Sequence, residues 1–198
     1  MTTRNPVLLI HGIDDTGEVF AKMAAVLERQ GWFTYALDLV PNNGKVGLDR
    51  LAEQIKGYVD QAFSQDTRFD IVAFSMGGII SRYYLQRLGG LERCDRFITL
   101  SSPHHGSLMA YVRQNPGCVQ MRPKSKFLKN LNRDFQQLNS IQFTSIWTKN
   151  DLMILPAKSS QVPVGKNITV PVLIHPWMLS DDRTIKLVME GLKRSPVS

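Results

Sequence analysis

A serine can act as a nucleophile when the backbone turns sharply beneath it and small neighbours leave its oxygen exposed. Ser75 stands in such a setting, in the run Ile71-Val72-Ala73-Phe74-Ser75-Met76-Gly77-Gly78. An apolar, strand-like stretch ends there in Ala73-x-Ser75-x-Gly77, the pattern of a strand that turns directly into a helix. Such a turn forces the serine into a strained conformation that presents its hydroxyl. Ala73 and Gly77 let the strand and helix backbones approach closely, and Gly78 starts the helix without a side chain in the way. A serine hydroxyl is weak alone, so it needs a base, and the base needs an orienting group.

On this kind of turn the acid follows the serine along the chain and the histidine follows the acid. The strand-like run Phe143-Thr144-Ser145-Ile146-Trp147-Thr148 leads through Lys149-Asn150 to Asp151. Further on, Val170-Pro171-Val172-Leu173-Ile174 reads as a strand followed directly by His175. Functional side chains of a parallel α/β sheet gather at the carboxyl ends of its strands, where all three residues fall. His175 would then take the proton from Ser75, and Asp151 would orient the imidazole and stabilise its charged form. Asp181 and Asp182 rival Asp151, but they follow His175 and open the last helix, a position suited to capping. Of the four histidines, His11 precedes Ser75, and His104 and His105 precede Asp151, so only His175 has the required order.

Attack on an ester carbonyl builds negative charge on its oxygen, which preorganised N–H groups must meet. The N–H of Met76, next after the nucleophile, is one expected donor. The other comes from the loop after the first strand, Ile10-His11-Gly12-Ile13-Asp14-Asp15. Ile13 is the candidate there, because Gly12 lets the loop turn and the Ile13 side chain can cover the site.

These residues need a frame that holds them along one edge. Strand-like runs near 6–11, 32–38, 69–74, 96–101, 142–148 and 170–175 alternate with helical patterns. Asp15 to Arg29 reads as a helix with a capping box of Asp15 and Glu18. Leu48, Leu51, Ala52, Ile55, Val59 and Ala62 recur at helical spacing. Met76 to Leu88 is the helix behind the nucleophile, closed by Gly89-Gly90. Phe127 to Leu138 and Asp181 to Arg194 are the last two. Alternation of this kind predicts an α/β fold of about six parallel strands flanked by helices on both faces, and one domain over residues 1–198. Residues 103–126 carry Pro103, Gly106, Pro116, Gly117 and Pro123 with weak periodicity. They predict an irregular excursion over the active-site edge that walls part of the substrate site.

Composition narrows the class. With 198 residues and 43% hydrophobic content, the chain can build one well-packed core. No stretch nears the ~18 apolar residues of a transmembrane helix, and no apolar leader core precedes the strand at Pro6-Val7-Leu8-Leu9-Ile10. Cys94 and Cys118 suggest neither a disulfide framework nor a metal site, so a cytoplasmic protein with reduced thiols is expected. The net charge of +7 is mostly dispersed, and no nucleic-acid module is visible. Arg113, Arg122, Lys124, Lys126, Lys129 and Arg133 do cluster. They read either as a solvated helix face or as a surface attracting anionic lipid head groups or an anionic substrate. Nothing calls for a partner chain, and a monomer is the default.

His11-Gly12-Ile13, Ala73-x-Ser75-Met76-Gly77-Gly78, Asp151 and His175 together resemble the α/β-hydrolase superfamily, and most of all its small, lidless class 2 bacterial lipases. The similarity covers nearly the whole chain, strongest before residue 106. The segment Thr99-Leu100-Ser101-Ser102-Pro103-His104-His105-Gly106 is also similar to one common in lipases and GPI inositol-deacylase-like proteins. The resemblance implies Ser75 as nucleophile, Asp151 and His175 as its partners, Ile13 and Met76 as oxyanion donors, and a structural His11. Two features depart from it. Asp14 and Asp15 replace small neutral residues, and Asp14 would repel anionic substrates if it pointed into the cleft. The basic insertion is longer than a minimal lipase needs. The expected activity is a serine carboxylic-ester hydrolase, lipase or esterase, cleaving lipid-like acyl esters through an acyl-enzyme, with no metal or cofactor. A thioesterase or short-chain carboxylesterase would use the same machinery. A hydrolase fold serving only as a binding module is the alternative of another class.

Overall fold

The computed structural model describes residues 4–195. Six parallel strands form one sheet: β1 (Val7–Ile10), β2 (Thr34–Leu37), β3 (Phe69–Phe74), β4 (Cys94–Leu100), β5 (Gln142–Trp147) and β6 (Lys166–Thr169). Their order across the sheet is β2-β1-β3-β4-β5-β6. The chain therefore winds outward one way from β1 to β2, then reverses across β1 to β3, leaving the carboxyl ends of β1 and β3 side by side. Helices cover both faces, as the alternation predicted.

The two faces are written into the central strands residue by residue. Leu8, Ile10, Ile71 and Ala73 point into one apolar cluster beneath α2 (Leu48–Ala62) and α3 (Met76–Arg87). Val7, Leu9, Val72 and Phe74 point into the other, beneath α1 (Ala21–Arg29) and α6 (Asp182–Leu192). Strands buried on both sides have no polar face, which is why β1 and β3 are apolar runs. A short helix α4 (Pro116–Gln120) and helix α5 (Lys126–Arg133) belong to the stretch between β4 and β5.

Three expectations need correction. The sixth strand is Lys166–Thr169, and residues 170–174 lie outside the ladder. Pro171 has no N–H to donate, and the Val172 N–H instead closes a tight turn onto the Val170 carbonyl (3.0 Å). His175 therefore opens a 3₁₀ turn, His175–Leu179, rather than following a strand directly. The first helix begins as a 3₁₀ turn, Gly17–Phe20, capped by Thr16 without a side-chain bond, so Asp15 and Glu18 form no capping box. The helix expected over 127–138 stops at Arg133, and a 3₁₀ stretch, Phe135–Ser140, carries the chain to β5. Asp181 does cap α6, accepting the N–H groups of Arg183 (3.0 Å) and Thr184 (3.2 Å).

Arg82 of α3 ties the insertion to the core. Its side chain is fully buried and stacks 3.8 Å from the Phe135 ring centroid. It donates to Gln86 Oε1 (3.1 Å), Asn132 Oδ1 (2.9 Å) and the Leu131 carbonyl (3.2 Å). Burial, with Arg87 nearby, pushes its guanidinium down to about 9. Only a planar fork reaches all three acceptors while lying flat on a ring. Arg82→Lys should therefore destabilise the protein by about 2–3 kcal/mol in urea unfolding. A change under about 0.5 kcal/mol would mean that the fork does not anchor α5.

Candidate active site

Ser75 occupies the single residue between β3 and α3, with φ 53° and ψ −124°. That is the left-handed side of backbone space, costly for a side chain other than glycine and held only by the surrounding structure. The Ser75 N–H donates to the Leu100 carbonyl of β4 (2.9 Å), fixing the turn to its neighbour. A Cβ at Gly77 would run into the carbonyl oxygens of Ile10 and His11, and one at Gly78 into the Ser102 side chain. The helix start is thus pressed against the end of β1 with no room for side chains. Ser75 itself keeps 8% of its surface.

His175 and Asp151 meet 2.7 Å apart, Nδ1 to Oδ2. Asp151 is 2% exposed, and its other oxygen accepts the N–H groups of Met153 and Ile154, both at 2.9 Å. Burial alone would raise the Asp151 carboxyl. The hydrogen bond and charge of His175 and the Ile154 N–H outweigh it, holding the group below the ordinary carboxylate value. With Nδ1–H given to Asp151, His175 Nε2 is left to accept a proton. The imidazole lies on Phe74, ring centroids 4.6 Å apart, at the end of the strand that delivers Ser75.

Two cavities meet at Ser75. One, of about 180 Å³, is lined by Ile13, Ser75, Met76, Met109, Met121 and Ile154 among others, and takes most of its far wall from residues 103–121. The other, of about 330 Å³, is lined by Ile13, Asp15, Phe74, Ser75, Ile174 and His175 among others. Met76 is the first residue of α3, so its N–H is among those a helix leaves without an intrahelical partner. The structure thus brings Ser75, Ile13, Met76 and His175 to one connected surface, with Asp151 directly behind His175. His11 stands apart from this chemistry. Its Nε2 accepts the Leu39 N–H (2.9 Å), so Nδ1–H donates to the Gly12 carbonyl (2.8 Å), tying the loop after β1 to the chain after β2. His104 is fully buried, 3.0 Å from Thr99 Oγ1, and burial holds it well below the usual histidine value.

Several participants escaped the sequence reading. Asp14 forms an ion pair with Arg113 (2.6 Å), closing the loop after β1 onto the excursion. Asp15, expected to cap a helix, instead lines the cavity beside His175. A rim of exposed apolar side chains also lines the two cavities: Val112 on the excursion, Leu152 and Met153 after Asp151, and Leu173 and Ile174 before His175. The signal for the rim was the unusual apolar content of chain outside strands and helices.

The sequence matches the family of the alpha/beta hydrolase fold over residues 5–140, and the chain belongs to that family. Among solved structures it is similar to a lipase of Bacillus licheniformis in mature form. The two share 17% identity over 97% of this chain and 93% of that one, with a TM-score of 0.79. It is similar to lipase B of Aspergillus fumigatus, with 15% identity over 98% of this chain and 53% of that one, at a TM-score of 0.82. A thermophilic esterase of Thermogutta terrifontis gives 14% identity over 96% and 90%, at a TM-score of 0.70. At these identities the likeness is one of fold.

The depressed Asp151 carboxyl makes a prediction about stability. Its folded value lies below its unfolded one, so its contribution is fully present above the ordinary value of 3.8 and is lost as pH falls through the folded value. The stability gap between wild type and Asp151→Asn should therefore begin to shrink below about pH 5 and go on shrinking below the ordinary value of 3.8 in urea titrations. A gap that stays constant over that range would mean that the His175 pairing does not stabilise the carboxylate.

Proposed function

We propose that the protein is a serine carboxylic-ester hydrolase acting on lipid-like acyl esters. Ser75 Oγ attacks the ester carbonyl while His175 takes its proton, and Asp151 holds the imidazole and stabilises its charged form. The oxyanion is met by the N–H groups of Met76 and Ile13. His175 then returns the proton to the departing alcohol, leaving an acyl-serine. Water activated by the same histidine releases the acid and restores Ser75.

The observation that carries this reading is the 2.7 Å pair of His175 and Asp151 sharing a cavity wall with a serine in left-handed conformation. A hydrolase fold used only for binding has no need of a strained serine, since strain persists only where surrounding structure maintains it. The apolar rim supports a lipid-like substrate: Val112 is 73% and Leu152 74% exposed beside the cavities. Contiguous apolar surface at a site mouth marks contact with apolar ligands or interfaces.

The basic cluster gains definition in the fold. Arg113 is held by Asp14, whereas Lys124, Lys129 and Arg133 join Lys158 along a groove of about 910 Å³ that no carboxylate lines. None of these four is in an ion pair among the described residues. This supports peripheral contact with an anionic membrane surface, which rewards each nearby cation. Among the described residues, no helix is long and apolar enough to cross a membrane.

Two experiments follow. Ser75→Ala should lower kcat/KM for p-nitrophenyl esters by at least about 10³-fold, while wild-type turnover rises from acetate toward palmitate. A preference for acetate would point to a short-chain carboxylesterase. No turnover on any ester, with thioesters cleaved, would make it a thioesterase; retained turnover in the variant would end the proposal. Separately, Ser75→Ala protein should bind vesicles of phosphatidylcholine with phosphatidylglycerol at least about tenfold more tightly than pure phosphatidylcholine at low salt. That preference should fall when Lys124, Lys129, Arg133 and Lys158 become Gln, and not when exposed Lys45, Lys166, Lys186 and Lys193 do. Equal losses in both sets would reduce the effect to net charge.

A further inference from the structure

The cavity beside His175 holds one charge that the proposed chemistry does not use. Asp15 lines it together with Ile13, Phe74, Ser75, Leu173, Ile174 and His175, and every other lining group except the serine and histidine is apolar. The carboxylate folds back over its own loop toward Gly12. A Cβ built on Gly12 would lie 2.9 Å from Asp15 Oδ2 and 3.1 Å from Ser75 Cβ, so those two atoms are at most about 6 Å apart. The carboxylate therefore stands beside the seat of the chemistry.

Among the described residues, no lysine or arginine forms an ion pair with Asp15. The neighbouring Asp14 is turned to Arg113, 2.6 Å away. His11 is engaged at both ring nitrogens, by the Leu39 N–H and the Gly12 carbonyl. His175 is already engaged at Nδ1 by Asp151. Burial raises the Asp15 carboxyl above its ordinary value, partly offset by His11, His175 and the Gly12 N–H. The carboxylate is half-buried, and its open side is the cavity it lines.

The reaction assigns this cavity to one half of an ester. His175 must hand its proton to the departing oxygen, so the alcohol lies on the His175 side, while the acyl chain takes the other cavity, walled by Met109, Met121 and Ile154 and by the mutually paired Asp14 and Arg113. We propose that Asp15 is a specificity-determining residue that selects esters whose alcohol portion carries an alkylammonium group close to the ester oxygen. The assignment of halves rests on the proposed hydrolase reading; the cation site itself does not. A carboxylate paired with no lysine or arginine among the described residues gains a cation when such an alcohol binds. An anionic alcohol at the same place would meet repulsion from this carboxylate. The oxyanion loop would thus carry both an N–H aimed at the carbonyl oxygen and a charge aimed at the leaving alcohol.

The test compares butyrylcholine with 3,3-dimethylbutyl butyrate, its uncharged carbon isostere, at about pH 8, above the range in which a carboxyl of this kind titrates. Wild type should favour the cationic ester in kcat/KM by about tenfold, between the value of an exposed and a buried pair. Asp15→Asn should bring the ratio to about one, and because a ratio is read, partial loss of folding cancels. Calorimetry of choline with Ser75→Ala protein separates the cation site from catalysis: binding should occur, and should vanish in Ser75→Ala/Asp15→Asn. Choline binding without hydrolysis of either ester would uphold the site and remove the hydrolase reading. A wild-type ratio of one or less, or a preference that survives Asp15→Asn, overturns the proposal.

Discussion

The active-site half of this molecule depends on how closely the first turn of α3 approaches the last carbonyls of β1. With no side chain at Gly77, the helix backbone rests against the oxygens of Ile10 and His11. At that separation the chain leaving β3 has one residue in which to reverse into the helix, and Ser75 adopts φ 53° because nothing more relaxed connects the two elements. The same contact sets Met76 and Ile13 on one cavity wall. Support comes from the flanks, where Ser75 N–H is held by Leu100 of β4 and His11 clamps the loop after β1 to Leu39. Neighbours on both sides therefore share the strain. Gly77 is for this reason a structural residue with a chemical consequence.

Three aspartates around the site show how surroundings give one side chain three behaviours. Asp151 spends both oxygens on protein donors and sits below its ordinary value despite burial. Asp14, more exposed, spends its charge on Arg113 and so holds two loops together. Asp15 is paired with no lysine or arginine among the described residues, and burial prevails, raising it. What separates Asp151 from Asp15 is the set of hydrogen bonds that the Asp151 carboxylate accepts, since burial acts in the same direction on both.

Much of the frame was readable because its signals are local. Fully buried strands need apolar runs, so β1, β3 and β4 declared themselves, and the small-x-Ser-x-Gly pattern placed Ser75 at a turn before any coordinates. Chain order then selected Asp151 and His175, and the structure sets them 2.7 Å apart. The failures came where a residue's neighbours are distant in sequence. β6 lies at the sheet edge, mostly exposed, so its Lys166-Asn167-Ile168-Thr169 carries no apolar run, while the apolar stretch after it packs on the core without joining the ladder. Asp15 has the position and type of a capping residue, and only the fold of the loop reveals that it turns back to Gly12. Lys158 lies 25 residues beyond Arg133, and nothing in the sequence joins it to the basic cluster it extends.

Belonging to a hydrolase family fixes the frame and leaves the substrate to the parts that vary on it. Here those parts are unequal on the two sides of Ser75. The excursion supplies methionines to one cavity, soft side chains that fill irregular space and suit a flexible acyl chain. The loop after β1 supplies a carboxylate to the other. Under the proposed reaction, a substrate placed the wrong way round would set a hydrocarbon chain against Asp15 and the alcohol among the methionines. The pose proposed for binding is then also the one in which His175 would deliver its proton to the leaving oxygen. Where ground-state fit and proton transfer demand the same pose, little binding energy is spent on unproductive complexes, and more remains for lowering the barrier.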